Sequence, residues 1–422
     1  MAEVSGGTRW VQLGLGVAAM VVISSPQYTW TLFVPSLRGV TGASVAAVQV
    51  TFSLLIVLQT WFSPIQAFLV DRFGPRLLLS LGAILVGASW LLAAPVGSLL
   101  GLYLTYGLLG GIGTGIVYVG VVGLMVGWFP DRRGLAVGLV AAGYGAGAFL
   151  TTIPIAAMVH AGDYRQALVG FGIAQGLVGL AVAQGLRRPP KELGFDTAAV
   201  ADGRQSRRSY SARQMLRTRP YWLLLVMMAM MSTGGLMVAA QVELFAKDFG
   251  VDNYQVLGVG AVALSLSLSR ITNGLTRPFF GWVSDRIGRE HTMLIAFSLE
   301  GLAVLSVLAF RNDPVLFVLL TGVVFFGWGE IFSLFPATLT DIYGPEHATT
   351  NYGFLYVAQG VGAVLGGPAA AYLVSVTGSW SPVFFIVAAL DLTAALLAYF
   401  VLRPMRRRWV GDQPAAVQAV PQ

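Results

Sequence analysis

The chain of 422 residues contains no cysteine, which excludes disulfides and every cysteine-ligated metal site. Its three histidines, His160, His291 and His347, are scattered, so no histidine metal centre is expected. Charge is scarce as well. Asp, Glu, Lys and Arg make up 11% of the chain, against about 25% in a soluble domain. That is too little to keep a globular surface wet. No nucleophile, metal cluster or cofactor motif gathers on one face, so the chain is not expected to be an enzyme or to hold a cofactor.

What the chain has in quantity is apolar length. Hydrophobic residues make up 56% of it, in runs of about 20 that each suffice to cross a bilayer core of roughly 30 Å. This composition reads as an all-α membrane protein. The first run, "WVQLGLGVAAMVVISSPQYTWTLFV", is longer than a signal-peptide core and has no cleavage pattern after it, so it is expected to be a span. Runs and breaks predict twelve transmembrane helices, at 10–33, 46–69, 77–94, 99–127, 135–159, 166–186, 220–244, 254–283, 292–310, 315–340, 351–375 and 381–402. The longest connection, 187–219, is polar and holds nine of the Lys and Arg residues. The expected organisation is a six-helix bundle over 1–186, a cytoplasmic linker over 187–219, a second six-helix bundle over 220–403 and a cytoplasmic tail over 404–422.

A net charge of +7 raises the question of nucleic acid, and the distribution of that charge argues against it. The side bearing the N-terminus, the linker and the tail carries 20 of the 26 Lys and Arg residues. The other side carries four, Arg38, Arg165, Lys247 and Arg311, and two lie inside a span. This asymmetry predicts a multi-pass protein of the inner (plasma) membrane with both termini in the cytoplasm. The tail segment "RPMRRRW" is expected beside anionic lipid headgroups.

The chain also repeats itself. "VDRFGPR" (70–76) follows the second span and "SDRIGRE" (284–290) the eighth, which places Asp71 and Asp285 214 residues apart. Pro154 and Pro368 have the same separation. A parallel duplication of six spans is an arrangement of secondary transporters. Each loop is expected to work as an interlock, with Asp71, Arg72 and Arg76 in one copy and Asp285, Arg286 and Arg289 in the other. The Asp would hold neighbouring helix ends in one conformation and release them in another. The two loops, the six-plus-six layout and the long central connection resemble the major facilitator superfamily. "GWVSDRIGR" keeps that family's glycine four residues before the Asp, at Gly281, whereas the first copy has Ala67 there. "SPQYTWTLF", "GIVYVG", "WFPDRRGLA", "RPFFGWVSDRIGR", "LFPATLTDIYG" and "NYGFLY" are similar to the oxalate:formate antiporter group, which includes bacterial relatives of the monocarboxylate transporters.

Glycine-rich stretches such as "YGLLGGIGTGIVY" and "QGVGAVLGG" are expected to let helix backbones approach closely. Two arginines, Arg270 and Arg277, interrupt the eighth span seven residues apart. Seven steps of about 100° return them to within roughly 20° of one face. Facing lipid, each would cost several kcal/mol, so both should face protein or water. One reading is a buried ion pair with Glu300, Glu330 or Asp391; the other is an arginine awaiting an anion through a two-pronged contact. Pro278 cannot bond the carbonyl of Gly274, so the helix is expected to bend or open beside Arg277. Asn273 lies one turn before it and is a candidate hydrogen-bonding partner of the cargo.

The resemblance implies a division of labour between the arginines. Arg277 stands where the antiporter pattern has its carboxylate-binding arginine. Arg270 and Glu330 depart from that pattern with opposite signs, which suggests a compensating pair. Gln27, Tyr28, Tyr118 and Trp328 match the pattern's binding site; Phe332 replaces a tyrosine and Tyr356 a tryptophan. Gln359 stands where the pattern has a lysine, so a dianion would meet one cation where the pattern offers two. The implied function is secondary transport of a small carboxylate by alternating access. A monocarboxylate such as lactate, pyruvate or formate is favoured, and an oxalate:formate antiporter is the alternative. A transporter-like sensor or a channel is the rival from another class. Monocarboxylate transporters carry an Asp where this chain has Asn273, which cannot titrate, so Glu330, Glu300 or Asp391 is left as the proton carrier if there is symport. The expected partners are a carboxylate, a proton and membrane lipid, with no nucleic acid, and the chain is expected to be a monomer.

Overall fold

The computed structural model describes residues 6–190, 193 and 197–411. Lys191 of the expected linker and residues 412–422 of the expected tail lie outside the described residues. Among the described residues, ten helices are long and apolar enough to cross a membrane. They are Gly7–Tyr28, Pro75–Ala93, Leu99–Trp128, Arg133–His160, Tyr164–Gly185, Arg219–Val238, Arg289–Ala309, Pro314–Tyr343, Ala348–Thr377 and Ser381–Gly411. The pair Val45–Thr60 and Ser63–Phe73, bent by 48°, makes an eleventh. The twelfth, Ala261–Ile287, spans 27 residues, or about 40 Å, and falls short only in apolarity. It is the helix with the two arginines.

The bend in the second span has a local cause. Pro64 has no N–H for the Thr60 carbonyl, so the helix breaks there, and Ser63 Oγ donates to that oxygen instead at 2.5 Å. Gln66 Nε2 reaches back across the break to the Leu58 carbonyl at 3.0 Å. The break therefore leaves few backbone groups unsatisfied in a setting without water.

The eighth span starts at Ala261, later than the expected 254. Before it, Gln255–Val256 pairs antiparallel with Val259–Gly260, Gln255 opposite Gly260 and Val256 opposite Val259. Leu257 at φ 53° and Gly258 at φ 78° make the turn, as a two-residue hairpin of mirror-image type requires. The helix then runs unbroken to Ile287 through Pro278, so it does not open beside Arg277. The duplication is visible in the backbone: Gly74 and Gly288, 214 residues apart, both hold φ 96° ahead of the next helix.

The chain forms two compact units. Of the described residues, unit 1 holds those within 1–128, 139–189 and 349–360, and unit 2 those within 129–138, 190–348 and 361–422. Each unit thus holds a short segment from the opposite half of the sequence, the start of the fifth span in unit 2 and the start of the eleventh in unit 1. The core of unit 1 is built on Trp30, Phe33, Leu55, Trp90 and Tyr106, with Trp30 4.8 Å from Tyr106 and Phe33 5.4 Å from Trp90 between ring centres. In unit 2, Phe245 gathers Phe317, Trp380 and Phe384 at 5.2–5.9 Å.

Candidate functional site

Unit 2 places Arg277 on the eighth span, 2% exposed. Its Nη2 donates to Asn273 Oδ1 at 2.8 Å, one turn earlier, and its guanidinium lies 4.6 Å from the centre of the Phe332 ring. Trp328 meets Phe332 edge to face at 5.7 Å. Gly235 makes room for the indole, since a Cβ there would lie 2.1 Å from it. The polar end of Arg277 is thereby aimed by an amide and two rings. Asn273, expected to meet cargo, serves first as the acceptor that orients the guanidinium.

The expected pairing of Arg270 with Glu330 is not formed. Arg270 is exposed, whereas Glu330 is fully buried and neither of its carboxylate oxygens has a hydrogen bond. Glu330 instead lies within electrostatic range of Arg277 and Asp391, and Glu300 within range of Asp391 and Glu330. All three acids are fully buried. Their helices close in on them: a Cβ on Gly234 would come within 2.8 Å of Asp391 Oδ1, and one on Gly327 within 2.7 Å of the Glu300 Cβ.

In unit 1 the expected aromatics meet residues that sequence reasoning missed. Tyr118 stacks on Tyr356 at 4.8 Å and meets Tyr144 edge to face at 5.1 Å. Tyr28 contacts Tyr144 at 5.6 Å, and Tyr352 contacts Tyr356 at 5.6 Å. The Tyr144 hydroxyl donates to Gln27 Oε1. Gln59 Nε2 donates to the hydroxyls of Tyr144, at 3.1 Å, and Tyr356, at 3.4 Å. Gln59 and Tyr144 link this cluster, and the only trace of Tyr144 in the sequence is the one aromatic among the small residues of "AAGYGAGA". Gln359 lies in the same unit, and its buried Oε1 has no hydrogen bond.

The repeated loops behave alike at their aspartates. Asp71 Oδ2 accepts from Thr350 N at 2.9 Å and from Thr350 Oγ1 at 2.6 Å, in the first turn of the helix starting at Ala348. Asp285 accepts from Gly134 N at 3.0 Å and Leu135 N at 2.9 Å, in the first turn of the helix starting at Arg133. A carboxylate at a helix N-terminus satisfies orphan N–H groups and opposes the helix dipole. Close approach is enforced by Gly281, where a Cβ would lie 2.2 Å from the Gly134 carbonyl. In the first copy the glycine is on the other helix: Ala67 Cβ faces Gly353, where an added Cβ would lie 2.7 Å away.

The second copy carries an ion network that the first lacks among the described residues. Asp341 holds Arg133 at 2.6 Å and Arg289 at 2.9 Å, and Arg289 holds Asp285 at 2.6 Å. Arg406 joins through Asp341 at 4.0 Å and also holds Glu290 at 2.5 Å. Arg133, Asp341 and Arg406 were not foreseen as network members. Of the expected interlock residues, Arg72, Arg76 and Arg286 stay outside the network and are exposed. Arg286 lies on the Trp282 ring at 3.7 Å.

Comparison with known proteins identifies what this architecture belongs to. The sequence pattern of the Major Facilitator Superfamily matches residues 15–273 and 222–421. The oxalate:formate antiporter of Oxalobacter formigenes is 34% identical over 403 residues, covering 95% of this chain and 93% of that protein. Monocarboxylate transporter 13 of Bos taurus is 26% identical, covering 81% of this chain and 77% of that one. Among solved structures, the proton:xylose symporter XylE superposes with a TM-score of 0.71 at 14% identity, covering 94% and 96% of the two chains. The twelve helices, the duplicated loops and an end-to-end match with a transporter agree: the chain belongs to the Major Facilitator Superfamily and is a multi-pass membrane transporter.

Proposed function

We propose that this transporter carries small carboxylates, and that a monocarboxylate of the lactate, pyruvate or formate type suits it best. The observation that carries this reading is the buried guanidinium of Arg277, oriented by Asn273 and Phe332. A guanidinium fixed in a plane offers a carboxylate two parallel charge-assisted hydrogen bonds. The names of the relatives point the same way, since one exchanges oxalate for formate and others carry monocarboxylates. Preference for a single negative charge rests on Gln359, a neutral amide where the antiporter pattern has a lysine. Within unit 1, the tyrosine cluster around Tyr118, Tyr144 and Tyr356, with Gln27, Tyr28 and Gln59, is a separate set of hydroxyls and amides of the kind a small polar acid can use. Trp328 lines the arginine's side.

Proton coupling is assigned to the buried acids Glu330, Glu300 and Asp391, with Glu330 the one in range of Arg277. Oxalate:formate exchange is the second reading, favoured by the 34% identity to a protein of that name. The transporter is read as a monomer of the inner membrane, with both termini and the 187–219 linker in the cytoplasm. Counterflow in proteoliposomes tests the cargo. Lactate, pyruvate or formate on one side should accelerate uptake of its labelled form from the other, and Arg277→Gln should abolish this. Oxalate self-exchange faster than any monocarboxylate exchange would select the second reading, and full activity of Arg277→Gln would remove Arg277 as anchor.

A further inference from the structure

The third and sixth spans pack antiparallel in unit 1, and the residues along their seam change in a graded way. A Cβ on Gly87 would come within 2.8 Å of the Gly176 Cα, and one on Gly179 within 2.8 Å of the Ala83 Cβ. At these small residues the backbones touch. Toward the end of the pair the small residues stop, and Gln184 Nε2 bridges to Ser80 Oγ at 2.8 Å. Beyond that bridge the helices no longer meet, and a cleft of about 610 Å³ opens. Its volume falls within the range of about 300–1,000 Å³ typical of small-molecule sites.

Three arginines line this cleft, Arg76, Arg187 and Arg188, and no Asp or Glu among the described residues does. The walls are apolar, with Phe73 56% and Leu77 62% exposed. Arg188 donates to the backbone carbonyls of Val70 and Asp71. The guanidinium groups of Arg76 and Arg187 have no hydrogen bond or ion pair among the described residues. The cleft lies where the third span begins at Pro75 and the sixth ends at Gly185. Those span ends place it at the edge of the bilayer, among the lipid phosphates.

We propose that this cleft is a binding site for an anionic phospholipid, with Arg76 and Arg187 on the phosphate and an acyl chain along Phe73 and Leu77. A zwitterionic headgroup brings its own ammonium, which would find three cations and, among the described residues, no carboxylate. A lipid whose headgroup has no cation, such as phosphatidylglycerol, has no such conflict. Basic pockets between spans recognise anionic headgroups in this manner. The site is separate from Arg277, so it stands or falls independently of the cargo.

The test is thermal unfolding of the purified full chain in a neutral detergent, titrated separately with phosphatidylglycerol, phosphatidylethanolamine and inorganic phosphate. Phosphatidylglycerol should raise the melting temperature saturably, because a ligand that binds only the folded state stabilises it. Phosphatidylethanolamine and phosphate should do so weakly or not at all. Arg187→Gln should weaken the half-effect concentration of phosphatidylglycerol about fivefold, and adding Arg76→Gln should weaken it about fivefold again. Arg187→Lys, which keeps the charge, should restore most of the response and serves as the folding control. Equal stabilisation by both lipids, or an unshifted response in the double variant, would overturn the site. Full stabilisation by phosphate alone would show a soluble anion as its ligand and overturn the lipid.

Discussion

Asp71 and Asp285 occupy the same place in the two repeats, yet replacing each by asparagine should have unequal effects. Asp285 uses both oxygens. Oδ1 takes Gly134 N at 3.0 Å and Arg289 at 2.6 Å, while Oδ2 takes Leu135 N at 2.9 Å. An amide keeps one acceptor and turns an NH₂ toward the Leu135 N–H. Losing that acceptor costs about 1–3 kcal/mol, and the weakened contact to Arg289 about 1 kcal/mol. Removing the charge from the helix N-terminus adds about 0.3–1 kcal/mol. Together these disfavour the capped arrangement by about 2–5 kcal/mol. Asp71 uses only Oδ2 for both Thr350 contacts, and an amide oxygen can accept both. Asp71→Asn should therefore lose little beyond the charge term, about 1 kcal/mol. The chain has no native cysteine, so alkylation of a single introduced one has no background. Ala136, 1% exposed, follows Leu135, which Asp285 holds, and Ala348, 2% exposed, lies two residues before Thr350, which Asp71 holds. In Ala136→Cys, Asp285→Asn should raise the alkylation rate by about a hundredfold, for roughly 3 kcal/mol of easier opening. In Ala348→Cys, Asp71→Asn should raise it less than about tenfold by the same conversion. Equal increases would refute the argument from oxygen usage, as would a change below about threefold for Asp285→Asn.

Other consequences are more local. Gly281→Ala would push a methyl against the Gly134 carbonyl at 2.2 Å; it should cost about 1–3 kcal/mol by overpacking and lower the melting temperature. Ala67→Gly should shift it far less. Tyr144→Phe removes the hydroxyl shared by Gln27 and Gln59 while keeping the ring contacts; it should weaken apparent carboxylate affinity in counterflow without unfolding the chain. Arg277→Lys keeps a charge but loses the planar fork and the Phe332 face, so it should retain measurable transport with affinity reduced about tenfold or more, where Arg277→Gln has none. Glu330→Gln should leave counterflow intact and abolish stimulation of uptake by an inward proton gradient; unchanged stimulation would remove Glu330 from the coupling path.

Much of the fold was legible because bilayer thickness forces a length on every span. The eighth span shows why the rest depended on the repeat. Its two arginines deny it the apolarity of the others, but the loop after it duplicates the loop after the second span, and that marks it as the counterpart helix. Contacts made across sequence were not legible. No spacing rule connects Gln59, Tyr144 and Tyr356, or Arg133 with Asp341, because helix packing sets those distances. The failed pairing of Arg270 with Glu330 is the most instructive case. The buried residues of the span, Ala261, Ser265, Ser269, Asn273, Thr276, Arg277, Phe280, Gly281 and Ser284, fall on a face roughly 200° wide at about 100° per residue. Arg277 and Arg270 both fall within that face, about 20° apart. So small an angle is within the ordinary scatter of helix geometry, and a helical wheel presents the two arginines as equivalent. One guanidinium is nevertheless buried against Phe332 and the other is exposed. Packing by the neighbouring helices, which covers Arg277 with Phe332 and leaves Arg270 open, separates the anchor from its apparent twin.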